Sequence, residues 1–259
     1  MTEHTSTVRL VIAYDGSDFH GWQKQPSLPT VEGSLRSALA VLKNHPDPFT
    51  LEFQGASRTD AGVHASGQVA SFPHIPGKTE WDYVRALNSL TPDSILVRSA
   101  EILEHPFNAR FDSKGKRYEY RVWNQRYPEP LERHRSWTFG LPLDASKMQS
   151  AADLLVGEHD FSAFRAADCQ SESTIRQIFS IEVHDEKPLI RIVVRGNAFM
   201  KNMVRIIAGT LVETGEGRMA EGQVLEALEK GNRRLAGRTA PAQGLCLMEV
   251  FYESPEEPH

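Results

Sequence analysis

The sequence predicts an α+β protein made of two β-α-β-β-α-β units of the ferredoxin-like or RRM-like kind. Three observations carry this. Short runs alternate apolar with polar or small residues, as half-buried strands do. Between them lie longer runs with apolar residues at helical spacing, and the order strand, helix, strand, strand, helix, strand occurs twice. The length, 259 residues, suits one or two domains with a sizeable core. The two passes divide near Asp112 to Gly115, giving expected subdomains 1–112 and 113–259. Their likeness is one of architecture, since the halves share no obvious sequence identity.

Val8 to Ala13 reads as a strand ending in the turn signal Tyr14-Asp15-Gly16. Ser17 to Pro29 reads as a loop with an exposed Trp22. Thr30 suits a helix N-cap, and Val31, Leu35, Leu39 and Leu42 recur at helical spacing up to Asn44-His45-Pro46. Phe49 to Phe53 and Gly67 to Phe72 read as strands. Thr79 caps a helix from Glu80 to Leu90, with Trp81, Val84, Leu87 and Leu90 on its apolar face, and Ser94 to Leu103 is the strand after it.

The second pass begins with the aromatic strand Arg117 to Trp123, followed by an irregular stretch with Pro128, Pro130 and a charged run. Asp144 caps a helix reaching Val156 and closed by Gly157. Gln177 to His184 and Leu189 to Arg195 pair around a turn at 185–188. Met200 to Glu213 is a strongly apolar helix, Glu221 to Glu229 a shorter one, and Leu245 to Tyr252 the last strand. The tail from Glu253 is acidic and proline-containing, the composition of a mobile segment.

Composition sets limits. With 29 basic and 34 acidic residues the formal net charge is −5, which argues against a protein that coats nucleic acid non-specifically. Two cysteines, Cys169 and Cys246, are too few for a disulfide scaffold and suit a reducing compartment. The start of the chain lacks a basic-then-apolar signal pattern and no apolar run reaches membrane-spanning length. The expectation is a cytoplasmic protein. Ten scattered histidines lack ligand spacing, so no structural metal is expected.

The stretch with the most chemistry is Gly55-Ala56-Ser57-Arg58-Thr59-Asp60-Ala61-Gly62-Val63-His64-Ala65, a polar loop between two strand-like runs. Arg58 and Asp60 are two apart and share a face if the segment is extended. A guanidinium beside a carboxylate keeps the acid ionised, ready to act as nucleophile, base or ligand. Asp before Ala-Gly also suits a turn, and on composition alone turn chemistry comes first. Two further patterns fail. Gly77-Lys78-Thr79 lacks the glycine a P-loop requires five residues earlier, where Phe72 stands. Gly215 to Ala220 fits G-x-G-x-x-A but follows a helix, so it reads as a helix end and turn.

Arg58-Thr59-Asp60-Ala61-Gly62-Val63-His64-Ala65 resembles the signature of the TruA family of tRNA pseudouridine synthases. Tyr14-Asp15-Gly16, Phe19, Gly21-Trp22-Gln23, Phe107-Asn108-Ala109-Arg110, Lys116 to Tyr120, Asn202-Met203-Val204-Arg205 and Pro241 to Leu245 resemble the family in the same order. Together they span nearly the whole chain. The resemblance implies two α+β subdomains with joined antiparallel sheets, a central active-site cleft and a homodimer. It implies isomerisation of uridine to pseudouridine in the anticodon stem-loop of tRNA, at tRNA positions 38, 39 and 40, without a cofactor.

The family's catalytic aspartate matches Asp60. Arg58 matches the arginine that helps extrude the target base, which must leave its stack to be reached. Arg205 matches an arginine paired with the catalytic carboxylate, Tyr118 a substrate-contacting tyrosine and Leu245 an apolar wall for uracil. By pattern alone Tyr118 and Tyr120 are strand tyrosines sharing a face, Arg205 an arginine in an apolar helix and Leu245 a core leucine. Tyr120 is expected to be structural.

Residues 105 to 135 hold eight Arg or Lys against four acids, with aromatics interleaved, the mark of a candidate RNA groove or of a solvated face. Arg126 lies in this stretch. Phe107, Asn108, Ala109, Arg110 and Phe111 resemble the family's RNA-binding segment, and Asp168-Cys169-Gln170 another contact loop. Lys78, read as exposed, is a further candidate phosphate contact. Two other readings remain open on the sequence. One is a non-catalytic RNA-binding protein, although the aromatic RRM signature is missing. The other is a hydrolase using Asp60 with a second acid such as Asp15 or Asp18.

Overall fold

The computed structural model describes residues 6–253, and the acidic tail beyond lies outside the described residues. Contacts divide the chain into two compact units. The first is Met1–Lys114 together with Leu247–His259, and the second is Gly115–Cys246. Both are α+β and are built mainly of antiparallel strand pairs.

In the first unit the order is β1 (Thr7–Tyr14), α1 (Val31–Lys43), β2 (Gln54–Gly55), β3 (His64–Pro73), α2 (Glu80–Leu90) and β4 (Ile95–Leu103). The sheet runs β4-β1-β3, with β2 beside β3. Leu10 sits opposite Ala70 on one side and Ala100 on the other. Val8, Leu10 and Ile12 are fully buried, as the alternation predicts.

Local signals place both helices. The Thr30 hydroxyl accepts the Gly33 N–H, and Asn44 ends α1 in the left-handed region at φ 50°. A capping box starts α2: Thr79 accepts the Asp82 N–H while the Asp82 carboxylate accepts the Thr79 N–H at 2.8 Å. The side of α2 that is buried differs from the expectation. Tyr83 and Leu87 face the core, whereas Trp81 and Leu90 are exposed. The Tyr83 hydroxyl accepts the Ile75 N–H and its ring packs edge-on to Phe72, partners that the Trp81 face lacks in the sequence pattern.

Phe49 to Phe53 is not a strand. Pro48–Thr50 is a single 3₁₀ turn capped by Asp47, and the carbonyls of Leu51 and Phe53 are taken by the buried Arg36 guanidinium instead of a neighbouring strand. Arg36 is paired in turn with Glu32 at 2.8 Å, one helical turn away, and both are nine-tenths buried.

In the second unit the order is β5 (Gly115–Trp123), β6 (Trp137–Thr138), α3 (Ala145–Asp153), β7 (Gly157–Asp160), β8 (Ile175–Glu186), β9 (Leu189–Gly196), α4 (Met203–Gly215) and α5 (Glu221–Lys230). Its sheet runs β5-β9-β8-β7, with β6 parallel to β5. Helix α3 stops at Asp153, short of the expected Val156, because Gly157 opens the edge strand β7 in place of a helix end. Helix α4 is buried almost all round, and the Gly215–Gly217 segment closes it through main-chain bonds to Val212 and Thr214, as the sequence suggested.

The solvent side of β5 and β9 carries an ion-pair lattice. Arg121 reaches Glu132 at 2.9 Å, and Arg191 reaches Glu119 at 3.1 Å and Glu186 at 2.5 Å.

The final strand, β10 (Leu245–Phe251), runs beside β3, so residues 247–253 complete the first unit. This long-range return has no counterpart in a division into consecutive halves. Beyond it, the Tyr252 hydroxyl donates to the Ala109 carbonyl at 2.8 Å and its ring meets Phe107 at 4.9 Å. Burial pushes the Tyr252 phenol above its ordinary value.

Candidate active site

The Gly55–Ala65 loop is held by the segment that follows β1. The Tyr14 hydroxyl lies 2.8 Å from the Thr59 hydroxyl, and the Trp22 N–H donates to the Thr59 carbonyl at 3.0 Å. The Gly62 N–H donates to the Phe19 carbonyl, and the Gly16 N–H donates to His64 Nδ1 at 3.1 Å. Gly21 sits at φ 89°, where a side chain would come within 2.7 Å of the Thr59 carbonyl oxygen. The early motif Tyr14-Asp15-Gly16, Phe19 and Gly21-Trp22 is thus the cradle of the later one.

Below the loop lies an aromatic row: Tyr14, Trp22, Phe53 and Phe72 follow one another at centroid distances of 6.0, 6.4 and 6.1 Å. Trp22 is therefore core, 2% exposed, and not the exposed loop residue expected. The signal for this was present in Gly55, whose lack of a side chain leaves room for the indole.

Within this cradle Thr59 is buried, Asp60 half-buried and Arg58 exposed. The carbonyl of Asp60 accepts the Val63 N–H at 3.1 Å, closing the turn that its Ala-Gly successor suggested. The side chain of Gln68 on β3 bonds both main-chain groups of Ser57. Nothing in the sequence singled out Gln68, although a glutamine with no exposed surface in a strand is itself unusual.

In the second unit Tyr118 and Tyr120 both point inward from β5, with Arg117, Glu119 and Arg121 on the other face. Tyr118 is 5% exposed and packs edge-on to Phe199 at 5.2 Å. The Tyr120 hydroxyl donates to the Pro241 carbonyl at 2.8 Å, and burial pushes its phenol far up. Arg205 on α4 is half-buried; its Nε donates to the Ala240 carbonyl at 2.7 Å and its Nη1 to Asn202 Oδ1 at 2.9 Å. That second bond explains the spacing of Asn202 and Arg205. Leu245 opens β10 and is buried.

The candidate RNA contacts fall into local groups. In the first unit Asn108 Oδ1 accepts the N–H groups of Arg110 and Phe111, and Asp112 accepts that of Asn108. Ala109 is buried, its N–H on Ser71 Oγ, so the tight turn directs Arg110 and Phe111 into solvent, the guanidinium over the ring. Lys78 is half-buried rather than exposed, and its main-chain N–H closes a turn onto the Ile75 carbonyl. In the second unit Arg126 is exposed over Tyr127 at 5.5 Å. Asp168 and Gln170 are exposed and Cys169 half-buried. Lys201 at 2.6 Å holds the Asp168 carboxyl below its ordinary value. Among the described residues no cluster of His, Cys, Asp or Glu suits a metal ion, and no helix is long and apolar enough to cross a membrane.

A family model described as tRNA pseudouridine synthase matches residues 10–112 and 151–253. Relatives named tRNA pseudouridine synthase A are similar over nearly their whole length. The one from Myxococcus xanthus is 45% identical over 249 residues, 95% of this chain and 91% of the relative. Those from Geotalea uraniireducens and Acetivibrio thermocellus are 43% and 40% identical, each covering 95% of this chain and 99% of the relative. The class is therefore an isomerase of the pseudouridine synthase kind. The chain belongs to the tRNA pseudouridine synthase family.

Proposed function

We propose that this enzyme isomerises uridine to pseudouridine in the anticodon stem-loop of tRNA, at tRNA positions 38, 39 and 40, with Asp60 as the catalytic carboxylate. The observation that carries the reading is the loop itself. Thr59, between Arg58 and Asp60, is pinned through its hydroxyl and its carbonyl, while the guanidinium of Arg58 is presented to solvent. Such anchoring supports a reacting group that must meet its target in one geometry.

The reaction breaks the N1–C1′ bond of uridine and forms a C5–C1′ bond. The C5 hydrogen leaves as a proton and N1 gains one, so no redox partner or energy source enters. A carboxylate suits the nucleophile or base that such a sequence needs. Arg58 holds the extruded base or fills its place in the stem, a role suited to a planar cation that also contacts phosphate. Tyr118 and Leu245 contact uracil, and Arg205 serves as a cationic partner in catalysis. Lys78, the 107–111 turn, Arg126 and residues 168–170 contact the tRNA, where exposed Arg–aromatic pairs suit phosphate and unpaired bases alike. A homodimer working in the cytoplasm completes the reading.

The test is release of tritium from tRNA labelled at uridine C5, with wild type and Asp60→Ala side by side. Release by wild type alone supports the assignment. Binding of tRNA without release by either protein points instead to a non-catalytic RNA-binding role.

A further inference from the structure

The β2–β3 ladder ends where the candidate catalytic loop begins. Gln54 faces Ser71, Gly55 faces Ala70, and the Ala56 N–H still reaches the Val69 carbonyl at 2.8 Å. Continued by one residue, this register sets Ser57 opposite Gln68. There the pairing passes from main chain to side chain. Gln68 Oε1 accepts the Ser57 N–H at 3.2 Å and Nε2 donates to the Ser57 carbonyl at 2.7 Å. The carboxamide presents one donor and one acceptor, as a peptide unit of a neighbouring strand would.

The loop thus stays bonded to β3 through a side chain where the main-chain ladder ends. The same amide reaches the other anchor: Nε2 is 3.5 Å from the Tyr14 hydroxyl, which is 2.8 Å from the hydroxyl of Thr59. Gln68 is fully buried and Tyr14 is 4% exposed. Ser57 and Thr59, on either side of the exposed Arg58, are therefore both fixed from beneath.

We propose that Gln68, together with Tyr14, is a positioning residue for the isomerisation, setting the backbone from which Arg58 and Asp60 meet the target nucleotide. The inference rests on the proposed roles of those two residues. A buried glutamine in a strand is costly unless its amide is used, and here it is used on Ser57, the residue that precedes Arg58, as well as on the Tyr14 hydroxyl and the Val69 N–H.

The experiment measures tritium release at saturating tRNA, tRNA affinity and thermal unfolding for the full chain, in wild type, Gln68→Met, Gln68→Ala, Tyr14→Phe and Asp60→Ala. Gln68→Met keeps the length of the side chain but has no donor for the Ser57 carbonyl. At a temperature well below each melting point, both Gln68 variants are expected to lose kcat by about 10–100-fold, the cost of an ångström-scale misplacement, with KM and tRNA affinity within about threefold. Tyr14→Phe, which keeps the ring, is expected to lose kcat in the same sense. Wild-type kcat in Gln68→Met or Gln68→Ala overturns the proposal, as does a loss carried wholly by KM. If neither Gln68 variant folds, Tyr14→Phe decides, and wild-type kcat there overturns it. Turnover by Asp60→Ala overturns the reading of Asp60 itself, an outcome distinct from normal Gln68 variants beside an inactive Asp60→Ala.

Discussion

The indole of Trp22 occupies the place that a side chain at position 55 would need: a Cβ there would lie 2.4 Å from its Nε1. Gly55→Ala must push the indole out of its row between Tyr14 and Phe53, the floor of the Asp60 loop. The expected cost is about 1–3 kcal/mol, the range for overpacking a tight core, read as a lowered urea midpoint with unchanged slope. Wild-type stability would show that the row yields easily.

Asp60→Ala is expected to cut turnover by more than about 10³-fold, as loss of a catalytic group does, with tRNA affinity and melting temperature close to wild type. Asp60→Glu should be nearly as inactive, since an added methylene moves the carboxylate off its target. Single-turnover tritium release at saturating enzyme checks both.

Arg58→Ala is expected to slow turnover by about 10–100-fold while tRNA affinity changes by less than about threefold, because an exposed cation that acts on the extruded base works mainly after binding. Filter binding beside the tritium assay separates the two. An equal fall in both would make Arg58 a phosphate contact.

Arg36→Met leaves the Glu32 carboxylate buried without its cation and the Leu51 and Phe53 carbonyls without their donor. Removing one partner of a buried pair costs about 3–5 kcal/mol, so this variant should unfold at clearly lower urea. The double replacement Glu32→Leu with Arg36→Met should recover part of that loss.

The N–H of Thr79, and then its hydroxyl, hold the Asp82 carboxyl below its ordinary value. The folded chain binds that proton more weakly than the unfolded chain. The contribution is therefore complete above the unfolded carboxyl value, near 4, and is lost as pH falls through the lower folded value. Asp82→Ala should lower the melting temperature at neutral pH, and the gap to wild type should close in strong acid, as calorimetry across that range would record.

Much of the fold was legible because its signals are local. Thr30, Thr79 and Asp144 announced their helices, and the alternation in Lys116 to Trp123 gave the inward face of β5. The failures share a cause. Phe49 to Phe53 has strand composition, but Arg36, 15 and 17 residues before the carbonyls it binds, satisfies that backbone. Trp22 reads as loop until Gly55 is seen to make room for it. On α2, Tyr83 outcompetes Trp81 because its hydroxyl finds the Ile75 N–H and its ring meets Phe72.

The loop carrying Arg58 and Asp60 stood out by composition and by resemblance. The cradle around it did not, since it consists of side-chain bonds to main chain across long separations, as between Gln68 and Ser57. The charge count between 105 and 135 likewise overstated the cations open to RNA, because Arg121 is engaged by Glu132.

Among the described residues strand β10 is the last regular element in chain order, yet from Leu247 onward it belongs to the unit whose other strands are made first. The Asp60 loop and its cradle are drawn from residues 14–72, all made early in synthesis. The 107–111 turn cannot be finished then, because the hydroxyl that ties Ala109 down belongs to Tyr252. A nascent chain therefore holds the Asp60 loop before the 107–111 turn can be anchored, and a chain terminated shortly before Tyr252 would carry the loop without the anchored turn.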